Sequence, residues 1–127
     1  MSRINKTVKN NKGFTLIELL ITMGIIGALT AIALPQFSQY KQRSYDSDSK
    51  AELHNLFSAC KVYWGDTLAA NNCTLTLATQ SSYGFIQSSG VQVTVNTGTE
   101  SGFTATASHT ASANTYSIDS AGNIALQ

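Results

Sequence analysis

Residues 10–35 read Asn-Asn-Lys-Gly-Phe-Thr-Leu-Ile-Glu-Leu-Leu-Ile-Thr-Met-Gly-Ile-Ile-Gly-Ala-Leu-Thr-Ala-Ile-Ala-Leu-Pro, and this stretch decides how the chain is built. From Phe14 to Leu34 there are 21 residues with one charge, Glu18. As a helix, at about 1.5 Å per residue, the run is about 31 Å long, which matches the hydrocarbon core of a bilayer. A carboxylate in such a run is costly unless something pairs with it, so Glu18 is a candidate functional residue.

Charge is distributed to match. Arg3, Lys6, Lys9 and Lys12 give the first 13 residues a net +4. All seven acidic residues come later, against Lys41, Arg43, Lys50 and Lys61, so the remainder carries −3. A basic flank holds its end of a span on the cytoplasmic side. The chain beyond the span then faces the periplasm or the exterior. The four later cations are spread among acids, and no basic patch points to a specific nucleic acid.

Lys12-Gly13-Phe14-Thr15-Leu16-Ile17-Glu18-Leu19-Leu20 resembles the prepilin cleavage and methylation motif of type IV pilins and the related pseudopilins. The resemblance spans roughly the first 35 residues. It implies that a prepilin peptidase in the inner membrane cuts after Gly13 and that the same enzyme N-methylates Phe14. It implies that the apolar helices then pack into the core of a helical homopolymer, fed by an assembly platform in the inner membrane. In that family the carboxylate at Glu18 is thought to neutralise the terminal ammonium of a neighbouring subunit. The physics is independent of the family: breaking such a pair in an apolar core strands a charge, so it favours one axial register.

Two other readings explain less. A secretory signal peptide has an apolar centre of 7–15 residues and is cut after it; here the run is longer, contains Glu18, and the cut precedes it. A plain single-span anchor accounts for the length and basic flank but not for Gly-Phe-Thr-Leu-Ile-Glu.

Within the run, Gly24/Ala28 and Gly27/Ala31 have the small-xxx-small spacing that lets helices approach closely. Pro35 removes one helical hydrogen bond, yet helical patterning resumes after it. In the family, the corresponding segment, Gly27 to Pro35, can lose helicity in the assembled filament. The helix is expected from about Phe14 to Tyr63 or Trp64. Its second half is amphipathic, with Leu53, Leu56, Phe57, Cys60, Tyr63 and Trp64 on one stripe. Lys50, Glu52, Asn55 and Ser58 are expected opposite it. Phe14, Phe37, Tyr40, Tyr45 and Phe57 recur along the helix at spacings that suit helix packing better than a conducting path.

Residues Asp66 to Gly90 read as irregular. Period-two alternation then marks Val91–Val95 and Phe103–His109, with Tyr116–Ile118 and Ile124–Leu126 as shorter strands and Gly/Asn/Ser-rich turns between them. A helix followed by an antiparallel meander is α+β: the apolar half of the helix protrudes and the amphipathic half packs on a small sheet. The expected organisation is a leader over 1–13, an apolar membrane or filament-core helix over 14–35, and an exterior domain over 36–127.

Cys60 and Cys73 stand 13 residues apart in a chain expected outside the cytoplasm, which favours a disulfide over a metal site or nucleophile. Two buried thiols are the alternative. His54 and His109 lack the neighbours of a triad or a zinc site. Asp46 and Asp48 point to different helix faces, and Asn72-Cys73-Thr74 is too short a sequon match to use. No cofactor, metal or catalytic set is expected. The leading expectation is a structural subunit of a type IV pilus, held in the inner membrane before assembly and at the cell surface after it. A type II secretion pseudopilin is the alternative, disfavoured by the lack of an acidic calcium cluster near the C-terminus. A plain membrane-anchored binding domain or an enzyme comes last.

Overall fold

The computed structural model describes residues 12–127, so the expected leader lies outside the described residues except for Lys12 and Gly13. Helix α1 (Leu16–Asp66) is followed by a short α2 (Leu75–Ala78) and four strands, β1 (Val91–Thr97), β2 (Thr104–His109), β3 (Thr115–Ile118) and β4 (Ile124–Leu126). The chain divides into two compact units between Phe37 and Ser38. The class is α+β, as the patterning implies.

In the first unit every described residue is exposed, including the whole apolar run. The backbone satisfies itself as a helix, which is what an apolar solvent demands. Its hydroxyls do the same. Thr22 Oγ1 donates to the Leu19 carbonyl at 2.8 Å and Thr30 Oγ1 to the Ile26 carbonyl at 2.6 Å. Helix α1 continues through Pro35 without a break.

In the second unit the strands form an antiparallel meander in the order β1-β2-β3-β4. Val93 pairs with Ala107, Ala107 with Tyr116, and Tyr116 with Leu126, and the register shifts once between Val95 and Thr97. Alternation sends Ala105 and Ala107 inward while Thr104, Thr106 and Ser108 take the other face. Those two alanines leave room for large side chains from the helix. Leu53, Leu56, Ala59, Cys60 and Trp64 fill it, together with Phe85, Val91, Val93, Phe103, Tyr116 and Ile118. Phe57 and Tyr63 of the expected stripe pack at its margin. Trp64 and Phe103 meet edge to face with ring centroids 5.3 Å apart.

The segment between helix and sheet is less irregular than its composition suggests. Thr74 caps α2, its hydroxyl accepting from Leu77 N at 3.3 Å. The Cys60–Cys73 disulfide ties the segment to α1 with the two Cα atoms 5.6 Å apart. Trp64 Nε1 donates to the carbonyls of Asn71 and Gly98, and Cys73 N donates to Gly98 O. Gly98 is required by this closeness, since a Cβ there would collide with the Cys73 carbonyl.

One helix position departs from the sequence reading. Glu52, expected on the solvent side, is buried, and its carboxylate accepts from Ser88 N at 2.7 Å and Ser88 Oγ at 2.9 Å. The reason is coverage: the segment before β1 folds over that flank of α1 and supplies donors that a helical pattern does not reveal. Asp46 is buried too, accepting from Ser112 Oγ at 2.6 Å and Asn114 Nδ2 at 2.8 Å. Thus one carboxylate pins the loop before β1 and another pins the β2–β3 turn, both to α1. Burial pushes the Asp46 carboxyl up, but hydrogen bonds from Ser112, Asn114 and Tyr116, with the Lys50 charge, outweigh it and hold it below its ordinary value.

Both pins can be tested. Because the Asp46 carboxyl titrates lower when folded, its contribution is present above its unfolded value near 3.9 and is lost as pH falls through the folded value. Thermal melts of the detergent-solubilised chain from pH 6 to pH 2 are expected to show Tm falling at the acid end. Asp46→Asn is expected to lower Tm at pH 6 and to flatten that fall; an undiminished fall in the variant contradicts the assignment. Glu52→Ala strands Ser88 N–H, at about 1–3 kcal/mol. Amide exchange is then expected to speed up in residues 79–90 before it does so in the strands, and uniform exchange across the unit contradicts the pinning role.

Candidate functional site

Helix α1 begins at Leu16, so Phe14 and Thr15 stand just ahead of it, not inside its first turn. Thr-x-x-Glu is the sequence form of a capping box, and Thr15-Leu16-Ile17-Glu18 folds as one. Thr15 N donates to Glu18 Oε2 at 2.8 Å, Thr15 Oγ1 donates to the same oxygen at 3.0 Å, and Glu18 N donates to Thr15 Oγ1 at 3.3 Å. Two otherwise orphaned amides at the helix start are satisfied by the only charged residue of the run and the threonine that caps it. A carboxylate also suits the positive end of the helix dipole.

The box accounts for Oε2 and leaves Glu18 without a cationic partner among the described residues. Its neighbours Ile17, Leu19, Leu20 and Ile21 are large, apolar and more than half exposed, and Phe14 is 94 % exposed. The site is therefore a preoriented anion at the start of a helix, set in apolar surface that is exposed among the described residues. Such a group can accept a cation delivered from outside and hold it where water is absent. Thr15 is a member of this site that the sequence reading misses, although its signal, three residues before a Glu at a helix start, stands in the sequence.

The glycines point outward as well. A Cβ placed on Gly13, Gly24 or Gly27 meets nothing within 4 Å. Nothing among the described residues demands their smallness. The Cys60–Cys73 disulfide is fully buried and structural in its surroundings. Gly13, Phe14 and Glu18 lie close together in sequence at one end of α1, whereas Gly27 and Pro35 lie further along the same unbroken helix.

The prokaryotic N-terminal methylation motif matches over residues 8–34. The chain is 42 % identical over 64 residues to the type IV major pilin protein PilA of Myxococcus xanthus, covering 50 % of this chain and 29 % of that protein. It is 44 % identical over 62 residues to the type IV major fimbrial protein FimA of Dichelobacter nodosus, covering 49 % and 39 %. A fimbrial protein of Pseudomonas aeruginosa is 44 % identical over 54 residues, covering 42 % and 35 %. The matched stretch is thus well under half the length of each of these relatives. With the motif on a long apolar helix and a small antiparallel sheet behind it, these similarities support a type IV pilin.

Proposed function

We propose that this chain is a structural subunit of a type IV pilus and has no catalytic role. Prepilin peptidase removes the leader after Gly13 and methylates Phe14. The subunit waits in the inner membrane with α1 as its span, and an assembly platform passes it into a filament at the cell surface. The observation that carries the reading is Glu18, held by Thr15 at the head of an exposed apolar helix. Cleavage turns the Phe14 amide nitrogen into an ammonium. A neighbour's ammonium brought to Glu18 leaves neither charge alone in the apolar core, whereas any other axial position leaves both unpaired. The type IV pilin names of the relatives favour a pilus over a secretion pseudopilus.

Gly27 and Pro35 bound the segment we assign as the weak stretch of α1. Pro35 supplies no N–H to the helix ladder, and two glycines and three alanines between Gly24 and Leu34 add little packing of their own. Loss of helicity there in the filament would lengthen the subunit without disturbing the buried residues beyond Tyr45.

The test is recovery of the chain in filaments sheared from cells. Glu18→Ala is expected to leave membrane insertion and leader cleavage intact, because losing a capping interaction costs about 0.5–2 kcal/mol in a helix of 51 residues. Filament yield is expected to collapse, and a wild-type yield would sink the pairing.

Gly13 is tested separately. A bulky residue there meets nothing among the described residues, so folding is expected to be unaffected and the uncut form to accumulate. Four leader cations cannot enter an apolar core. Intact-mass measurement of sheared filaments is expected to show chains beginning at Phe14, and chains beginning at Met1 would contradict the scheme.

A further inference from the structure

Helix α1 carries the same charged couplet twice with both members exposed, a third, Lys41 with Asp46, having its acid buried. Arg43 and Asp48 are five residues apart, and so are Lys61 and Asp66. At about 100° per residue, five residues put the two charges about 140° apart around the axis, too far to pair with each other. The couplets are themselves 18 residues apart, which is about five full turns, so the second lies directly above the first by roughly 27 Å. One flank of the exposed helix face is thus basic, with Arg43, Lys50 and Lys61. The other carries Asp48 and Asp66, with Lys41 on that side further toward the N-terminus.

These charges differ in how the chain uses them. Lys50 lies over the Tyr116 ring at 4.6 Å, and Lys61 Nζ meets Glu100 Oε1 at 3.0 Å with both side chains well exposed. Arg43, Asp48 and Asp66 are exposed and have no ion-pair or side-chain hydrogen-bond partner among the described residues. Between the flanks the helix presents Ser44, Ser47, Ala51 and Ser58 together with the larger His54, Asn55 and Val62, all exposed.

We propose that this face docks a second, parallel copy of the chain, with Arg43 of one subunit paired to Asp48 of the next. The inference rests on the filament reading above and names a contact within it. A shift of five residues along the helix, about 7.5 Å, brings Arg43 level with Asp48 of the neighbour. The same shift brings Lys61 level with Asp66, where Lys61, with three donors, serves both Glu100 and the new partner. The contact joins two different flanks, so it is heterologous, and repeated with a constant displacement it extends as a filament instead of closing as a dimer. Being solvent-exposed, the pairs are screened by salt.

The test uses full-length chains expressed in place of the native subunit and scored as sheared filaments relative to subunit in cells. Arg43→Asp and Asp48→Arg are each expected to lower the yield on the order of fivefold or more, since each contact becomes a like-charge pair repeated at every subunit. The double reversal is expected to return it to within about twofold of wild type. In a separate chain carrying Arg43→Cys and Asp48→Cys, mild oxidation of filaments is expected to give a covalent ladder that Arg43→Cys alone does not. This reads the contact without introducing repulsion. Single reversals at wild-type yield, a double reversal no better than either single, or a cysteine pair that gives only monomer would each overturn the pairing. Wild-type chains that form no filaments would overturn the subunit reading, and the pairing with it.

Discussion

The constraint on which everything else depends is apolar surface that the chain does not cover itself. Twelve large apolar side chains between Phe14 and Leu34 are each more than half exposed, from Ile21 and Leu19 near the lower bound to Phe14 at 94 %. At about 1.5–3 kcal/mol for each fully buried side chain, leaving them in water forgoes on the order of 20 kcal/mol. That exceeds the whole net stability of a typical domain. Moving this helix out of water is therefore favourable. Lipid and a core of like helices are the two environments that satisfy it, and both require a backbone and hydroxyls already bonded within the helix. Thr22 and Thr30 meet that requirement by donating to carbonyls of their own helix.

The second half of α1 solves the opposite problem. Here one stripe is covered by the sheet, and the coverage is directional because Ala105 and Ala107 leave space that Leu53, Leu56 and Trp64 fill. Two buried carboxylates then fix what the apolar contacts leave loose. Asp46 holds the β2–β3 turn and Glu52 holds the loop before β1, while the disulfide and Trp64 Nε1 hold the segment between helix and sheet. Each loop thus has a polar pin to the same helix, so the remaining face of α1 stays uncovered and keeps its own charge pattern.

How much of this can be read from the sequence depends on whether the cause is local. The apolar run, the amphipathic stripe, all four strands and the cysteine pair are legible, because each shows its period or composition within a few residues of itself. Strand ends differ by one or two positions, as β1 runs on to Thr97 and β2 starts at Thr104 instead of Phe103. The Thr15–Glu18 box is equally local, but it is easily passed over when Glu18 is read only toward a partner across subunits. The burial of Glu52 is not legible at all. Its side of the helix reads as polar, and it is the return of a distant loop, with Ser88 36 residues on, that makes that side interior. Helix α2 is hidden for a related reason: four residues among Thr and Asn show no period, and its Thr74 cap matters only once Cys73 is tethered.

The proposed filament contains two kinds of charge pair, and their magnitudes give them different tasks. A pair between Glu18 and a terminal ammonium sits in an apolar core, where removing one partner is worth about 3–5 kcal/mol because the other charge is left buried. An exposed pair such as Arg43 with Asp48 is worth about 0.2–1 kcal/mol and fades with ionic strength. The buried pair is therefore strong enough to reject a wrong register at the moment of docking. The exposed couplets are too weak for that, but they recur at every subunit, and along a filament many small terms add where one is negligible. Axial register is then set at the head of α1, and cohesion between neighbours is tuned from Arg43 onward by a term that responds to salt. A helix with charges at both places separates the decision to assemble from the strength of what is assembled.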